Sequence, residues 1–277
     1  MWVNGERALR TRLDSSSRAT LFSGSTANND GFQLAAGAAS QIALSWPAHG
    51  HGVEFVYPQQ GSAWTEARCA VDNVTQSESA DGSVAAFVYM MQPCYTNLRN
   101  KPCGQGPKGA PNIVENVGKE AIVAAGEWAL DTSSRKVVLA LPSGQSPADT
   151  VIEMPVLETL LASGGTAGSP ATYVRFSNVS FELATWLRPG QGDGYVEQQS
   201  GACILGRGVH NADCNYDQLW YKSPGNVLLR GISHFEFLGV EFSRLGGNGL
   251  DLGGGAHNNL IDGCYFRDIS GAAVQIG

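Results

Sequence analysis

Gly239-Val-Glu-Phe-Ser-Arg-Leu-Gly-Gly-Asn-Gly-Leu-Asp-Leu-Gly253 and Gly263-Cys-Tyr-Phe-Arg-Asp-Ile-Ser-Gly-Ala-Ala-Val-Gln-Ile-Gly277 align without a gap at an offset of 24 residues. Val240 falls on Cys264, Phe242 on Phe266, Leu245 on Ile269, Leu250 on Val274 and Leu252 on Ile276. A unit this short cannot bury a core by itself, and its apolar residues alternate with period two. Both properties point to one coil of a stacked solenoid, and the pattern fits a right-handed parallel β-helix.

Each coil divides into three short strands separated by glycine-marked turns. The first has strands at about Phe235–Leu238, Val240–Leu245 and Gly249–Leu252; the next repeats them at Asn259–Asp262, Cys264–Ile269 and Ala273–Ile276. Alternation turns Phe237, Val240, Phe242, Leu250 and Leu252 inward, and Glu236, Glu241 and Asp251 outward. An earlier coil is legible in Tyr173-Val-Arg-Phe-Ser-Asn-Val-Ser-Phe181, with Phe176, Val179 and Phe181 matching Phe237, Val240 and Phe242. Asn178 then stands level with Gly239 and Gly263. Asn, Gly and Gly at one position predict a backbone with positive φ.

Composition agrees with a turn-dense β protein. Glycine makes up 35 of 277 residues, against a usual share of roughly 7%. The net charge of −7 argues against nucleic acid or an anionic membrane as partner. No apolar run has the length of a transmembrane helix, so membrane insertion is not expected. The chain begins directly in a strand-and-turn pattern and stops at the end of a solenoid strand. It therefore reads as a segment of a longer protein, with any signal peptide outside it.

Residues 1–153 carry no 24-residue register and are expected to form a separate antiparallel β-rich module; the β-helix would occupy 154–277. Val53–Tyr57, Ala85–Met91, Trp128–Asp131 and Lys136–Leu141 are strand candidates, the last two forming a hairpin. Trp46, Trp64 and Trp128 are the expected centre of that module's core. Val117–Leu130 is the one stretch with some helical character. An excursion from Leu187 to about Gly225 interrupts the coils and reads as a loop insertion, the kind of segment that often builds a binding site on a solenoid.

Trp2-Val-Asn-Gly-Glu-Arg-Ala, Val53-Glu-Phe-Val-Tyr57, Trp64-Thr-Glu-Ala-Arg-Cys69, Gln92-Pro-Cys94, Gly126-Glu-Trp-Ala-Leu-Asp131, Pro155-Val-Leu-Glu-Thr-Leu, Trp186 and Gly249-Leu-Asp-Leu-Gly253 occur in this order. Together they resemble the large secreted right-handed parallel β-helix proteins similar to glycoside hydrolases of the fucosidase and xylanase type. In that family a β-rich module interrupts the early solenoid and the coils then resume. The resemblance implies a secreted, carbohydrate-active protein whose partner is a polysaccharide or oligosaccharide, and a disulfide between Cys69 and Cys94. It does not map the family's catalytic carboxylates onto this chain.

The residues themselves suggest where chemistry would sit. Glycosidases use two carboxyl groups, roughly 5 Å apart in retaining enzymes and roughly 6.5–9.5 Å apart in inverting ones. Adjacent coils are about 4.8 Å apart, so outward acids can meet either requirement. Asp251 and Glu241 are the catalytic candidates, set against the plain alternative of solvated surface acids. Asp251 ranks first because it lies in the glycine-rich stretch Gly246–Gly255, where a ligand could approach the backbone. Trp186, Tyr195, Glu197, Trp220 and Tyr265 are the substrate-binding candidates, being aromatic platforms and polar groups of the kind sugar sites use.

No cofactor and no metal are expected. His49-Gly-His51 lacks a third ligand at a usable spacing. The single Gly-Gly-Asn-Gly-Leu-Asp imitation of a calcium nonapeptide lacks stacked copies. Cys203 and Cys214 bracket a short loop and are candidates for a disulfide, while Cys264 takes a core position. Asn73-Val-Thr and Asn178-Val-Ser are sequons; Asn178 is better read as a turn residue. A hydrolase working by carboxylate acid/base chemistry is the leading functional reading. The alternative is a non-catalytic β-helix module for glycan binding or adhesion, since this fold hosts both.

Overall fold

The computed structural model describes residues 1–46, 50, 52–78, 82–101, 105–107, 109–131, 134–206 and 220–277. It is predominantly β. Its backbone contacts divide it into two compact units. One contains Met1, 153–187 and 222–277; the other contains 2–152 and 188–221.

In the first unit every sheet is parallel. Ser180–Ala184, Glu241–Leu245 and Tyr265–Ile269 form one ladder, and Arg175–Ser177, Glu236–Leu238 and Leu260–Asp262 form a second. Leu161–Ala162, Gly225–Arg230, Asn248–Gly253 and Val274–Ile276 form a third. A two-stranded ladder pairs Ala171–Thr172 with Ile232–Ser233. The 24-residue offset is the pairing register: Phe242 lies opposite Phe266, Leu245 opposite Ile269, Leu250 opposite Val274 and Leu252 opposite Ile276.

The register stacks like on like. Phe176 lies over Phe237 with ring centroids 5.3 Å apart, Phe181 over Phe242 at 5.5 Å, and Phe242 over Phe266 at 4.8 Å. Val227, Leu229, Val240, Leu245 and Leu250 fill the same core and are fully buried. Cys264 continues the Val240 position half-buried, its thiol donating to the Phe237 carbonyl at 3.3 Å.

The turns repeat as strictly as the strands. Asn178, Gly239 and Gly263 have φ of 52°, 61° and 60°, as their alignment requires. Two further columns share the left-handed conformation: Tyr173, His234 and Asn258, and Leu183, Arg244 and Asp268. Buried asparagines satisfy turn backbone groups. Asn226 donates to the Glu158 and Thr185 carbonyls and accepts from the Gly247 amide, and Asn248 accepts from the Ala272 amide.

The second unit is built on an antiparallel sheet. Ala67–Glu78 lies at its centre, flanked by Val84–Met90 on one side and by Glu54–Val56 and Tyr195–Gln199 on the other. Gly31–Gln33 and Thr26–Ala27 extend it beyond Val84–Met90, and Ile113–Glu115 pairs with Glu54–Val56. The segment expected to be a loop on the coils thus supplies sheet instead. Tyr195 pairs with Arg68 and Val196 with Ala67, and Ala202–Ile204 adds a further strand. Val196, Cys203 and Ile204 are buried, and burying them is the physical reason this polar segment orders.

The predicted hairpin forms, with Trp128 opposite Leu139 and Asp131 opposite Lys136. The 117–130 stretch holds only a 3-10 turn, Lys119–Ala121, before it becomes strand. Short helices instead form at Ser15–Phe22, Ala38–Leu44 and Cys94–Arg99. The first is started by the Asp14 carboxylate, which accepts from the amides of Ser16 and Ser17. Trp46 is buried against Phe55 as expected. Trp128 is half-buried, with its indole N–H on the Ala8 carbonyl. Trp64 is not a core residue at all: it is 62% exposed. Cys69 and Cys94 form a disulfide. Cys214, Cys103, His49 and His51 lie outside the described residues.

The turn column yields a direct test. A side chain at Gly263 would meet open space, its nearest non-neighbour atom being the Gly239 nitrogen at 3.8 Å. Conformation alone therefore decides the cost of substitution. Gly263→Asn should lower stability by under about 1 kcal/mol, because asparagine tolerates the left-handed region. Gly263→Val should cost at least about 1 kcal/mol more. Urea unfolding of the two variants measures the difference.

Candidate functional site

Asp251 sits between Leu250 and Leu252, whose side chains fill the core, so alternation turns it away from that core. It is nevertheless only 1% exposed. The Lys222 ammonium lies 2.5 Å from its Oδ1 and also reaches the Gly277 carbonyl. Gly225 presses against it from the neighbouring strand; a Cβ there would stand 2.5 Å from the Asp251 Cβ. The expectation of an open outward acid is corrected on these grounds. The pleat points Asp251 outward, and Lys222 and the Gly225 backbone then close over it. Its in-register neighbours are Leu228 and Gln275, so no second carboxylate is supplied from the adjacent strands.

Glu241 lies between Ser180 and Tyr265 on a different sheet. The Ser243 hydroxyl and the Arg267 guanidinium beside it hold its carboxyl below the usual range, with Arg267 Nε donating at 2.9 Å. A carboxylate stabilised in this way is suited to accept a proton or carry charge, not to donate a proton near neutrality. Register does not bring Asp251 and Glu241 together. The two catalytic candidates occupy separate ladders.

The substrate-binding candidates divide between the units. Tyr265 is 60% exposed on the same column as Glu241. Trp186, half-buried, follows the Ser180–Ala184 strand in the parallel unit. Tyr195 and Glu197 share one face of Tyr195–Gln199 in the antiparallel unit, where Trp220 is 42% exposed. Glu197 holds backbone in place, its Oε2 accepting from the Glu66 amide at 2.8 Å and its Oε1 from the Gly201 amide at 3.0 Å.

The antiparallel unit also contains charge chemistry that no local pattern announces. Glu54 and Glu115 are opposite each other on paired strands and both are buried. Arg68 Nη1 bridges them at 2.8 and 2.7 Å, Arg10 meets Glu54 at 2.9 Å, and Arg12 meets Glu115 at 2.6 Å. Burial pushes the Glu115 carboxyl up, but the Arg68, Arg10 and Arg12 guanidinia outweigh it and hold the group below its ordinary value. For Arg68, burial opposes the charge, yet Glu54 and Glu115 raise its affinity for the proton. Arg12 and Glu115 are 103 positions apart in sequence, so nothing in either neighbourhood signals the other. Lys101 is a second case. Burial pulls its ammonium down to about 8, against an attraction to Glu197, and it donates to the Thr65 hydroxyl at 3.2 Å.

Among the described residues, no three His, Cys, Asp or Glu side chains are grouped to hold a metal ion. No helix among them is long and apolar enough to cross a membrane.

Two stability measurements test these electrostatics. Arg68→Met leaves Glu54 and Glu115 facing each other with reduced compensation and should cost about 3–5 kcal/mol at neutral pH. The stabilisation carried by Glu115 is fully present above its ordinary value of 4.5 and is lost as pH falls through its lower folded value. The acid limb of the stability profile should therefore flatten in that variant. Lys101 behaves oppositely. Its folded value of about 8 lies below its ordinary 10.5, so the unfolded chain binds more protons in between. Stability should rise across that window in the wild type relative to Lys101→Met, as read from urea midpoints against pH.

No protein-family model matches the sequence, and no curated protein matches it. Among solved structures, a glycoside hydrolase superposes on the whole chain with a TM-score of 0.75 at 23% identity, and the match covers 47% of that protein. The chain thus spans about half the length of the enzyme it resembles, and the two share a fold.

Proposed function

We propose that this chain is a carbohydrate-active segment of glycoside hydrolase type, built on a right-handed parallel β-helix with an antiparallel β-rich module, and acting on an extracellular polysaccharide. The observation that carries the reading is the likeness in fold to a glycoside hydrolase over 100% of the chain. The in-register parallel ladders support the β-helix, and their right hand follows from the rule for parallel crossovers. The Cys69–Cys94 disulfide supports an oxidising, secreted or extracellular setting.

In this reading hydrolysis runs on carboxylate acid/base chemistry without a cofactor. Asp251 and Glu241 are its candidates within the chain. Glu241, kept ionised by Ser243 and Arg267, fits the role of base or charge stabiliser. Asp251 is accessible to a sugar only if the cover formed by Lys222 and the Gly225 backbone opens. Tyr265, Trp186, Tyr195, Glu197 and Trp220 are the residues to probe for substrate binding.

A second reading has an observation of its own. Asp251 and Glu241 are each already engaged by a cation, Lys222 and Arg267. Acids tied in this way suit a non-catalytic module that binds glycans through exposed rings such as Tyr265. Asp251→Asn separates the two. The swap keeps size and hydrogen bonding while removing the charge. Loss of hydrolysis in a variant that still folds, with an unfolding midpoint lowered because Lys222 loses its charge partner, is the expected outcome of the enzymatic reading. Hydrolysis undiminished in Asp251→Asn would move catalysis to other residues. Polysaccharide binding without hydrolysis in the wild type would favour the binding module.

A further inference from the structure

The residue that departs most from its expected place is Trp64, the most exposed tryptophan among the described residues, at 62%. Leaving an indole in water forfeits a large hydrophobic gain. A floppy loop would explain such exposure without any function, because a mobile side chain simply finds no partner. The loop around Trp64 is fastened at almost every step.

Trp64 sits in the turn closed by the Thr65 amide on the Ser62 carbonyl at 3.2 Å. The Gln59 amide donates to the Thr65 carbonyl at 2.8 Å, tying the two ends of the loop together. Four other parts of the chain then hold it. Lys101 Nζ donates to the Thr65 hydroxyl at 3.2 Å. Glu197 Oε2 takes the Glu66 amide at 2.8 Å. Gln60 Nε2 donates to the Ala110 carbonyl at 2.9 Å. Gly61, with φ of +81°, packs so closely on the Gln105 carbonyl that a Cβ would stand 1.8 Å from it.

Lys101 is 3% exposed and desolvated, held beside Thr65 directly under the turn. Thr65 is itself buried, so this side-chain bond anchors the residue that directly follows Trp64. In the same loop Gln59 is exposed and the Glu66 side chain is 45% exposed, its carboxylate 3.7 Å from the Arg68 guanidinium. A rigid, exposed aromatic face in a polar loop matches a pyranose, whose apolar C–H face stacks on such a ring.

We infer that Trp64 is a preorganised aromatic platform for a sugar ring of a polysaccharide, a binding subsite on the antiparallel unit. The inference rests on the carbohydrate reading proposed above.

The test is retardation of the protein in native gels cast with a panel of soluble plant and microbial polysaccharides. The wild type is compared with Trp64→Ala, Trp64→Phe and Val123→Ala. Val123 is 87% exposed and serves as a truncation of an apolar surface residue elsewhere. Trp64→Ala should bind at least about tenfold more weakly, and Trp64→Phe should keep most of the affinity because it keeps a ring. Val123→Ala should bind as the wild type does. Unfolding midpoints should be equal in all four, since no core contact is removed. Binding by Trp64→Ala as tight as wild type, or equal losses in Trp64→Ala and Val123→Ala, would overturn the platform while leaving the carbohydrate reading standing. A wild type that binds no polysaccharide in the panel would overturn both.

Discussion

A left-handed residue at the same place in each repeat is the constraint on which the C-terminal unit depends. Parallel strands stay in register only if every turn between them bends the chain by the same angle. The columns through Asn178, Gly239 and Gly263, through Tyr173, His234 and Asn258, and through Leu183, Arg244 and Asp268 do this at three corners. Only the first is made of residues that tolerate the conformation freely. Leucine, arginine and tyrosine at the other corners carry a backbone cost, and the phenylalanine stacks and aliphatic core beneath them offset it. Regular turns permit the stack, and the stacked core holds the less favourable turns in place.

The antiparallel unit is organised around a different interaction. Glu54 and Glu115, opposite each other on adjacent strands, would repel if left alone. Arg68, from the strand on the other side of Glu54–Val56, turns that repulsion into attraction, and Arg10 and Arg12 bring the N-terminal segment to the same point. The network is buried, so its net stabilisation is small relative to the penalty for removing one partner. It joins the N-terminal segment to strands roughly 40 to 100 residues away through charge pairs that one partner's removal would leave uncompensated. The 188–206 segment joins this unit by burying Val196, Cys203 and Ile204 and by adding strands to its sheet. Tyr195 pairs with Arg68, and Glu197 caps the Glu66 amide.

These constraints bear on function through accessibility. Alternation puts Asp251 on the outside of its strand, yet Lys222 and the Gly225 backbone leave it covered. Glu241 is accessible but electrostatically committed to Arg267. Trp64, by contrast, is open and held still.

Short periods govern the part of the structure that is legible in the amino-acid sequence. The 24-residue register, the inward phenylalanines, the positive φ at Asn178, Gly239 and Gly263, and the 128–139 hairpin all follow from residues within one or two repeats of each other. Strand period and turn chemistry are local properties, so they are written locally. The short helices are not legible in this way, because Ser15–Phe22 has little apolar patterning and depends on the Asp14 cap and on packing. Contacts between distant parts of the chain decide the rest. Which face of Asp251 is covered depends on Lys222, 29 positions away, and the charge of buried Glu115 depends first on Arg68, 47 positions away. Trp64 reads as core because tryptophan usually is; it is surface because Lys101, Gln105, Ala110 and Glu197 fix its turn with the ring outward. Burial and charge compensation are sums over neighbours in space, and no window of sequence contains those neighbours.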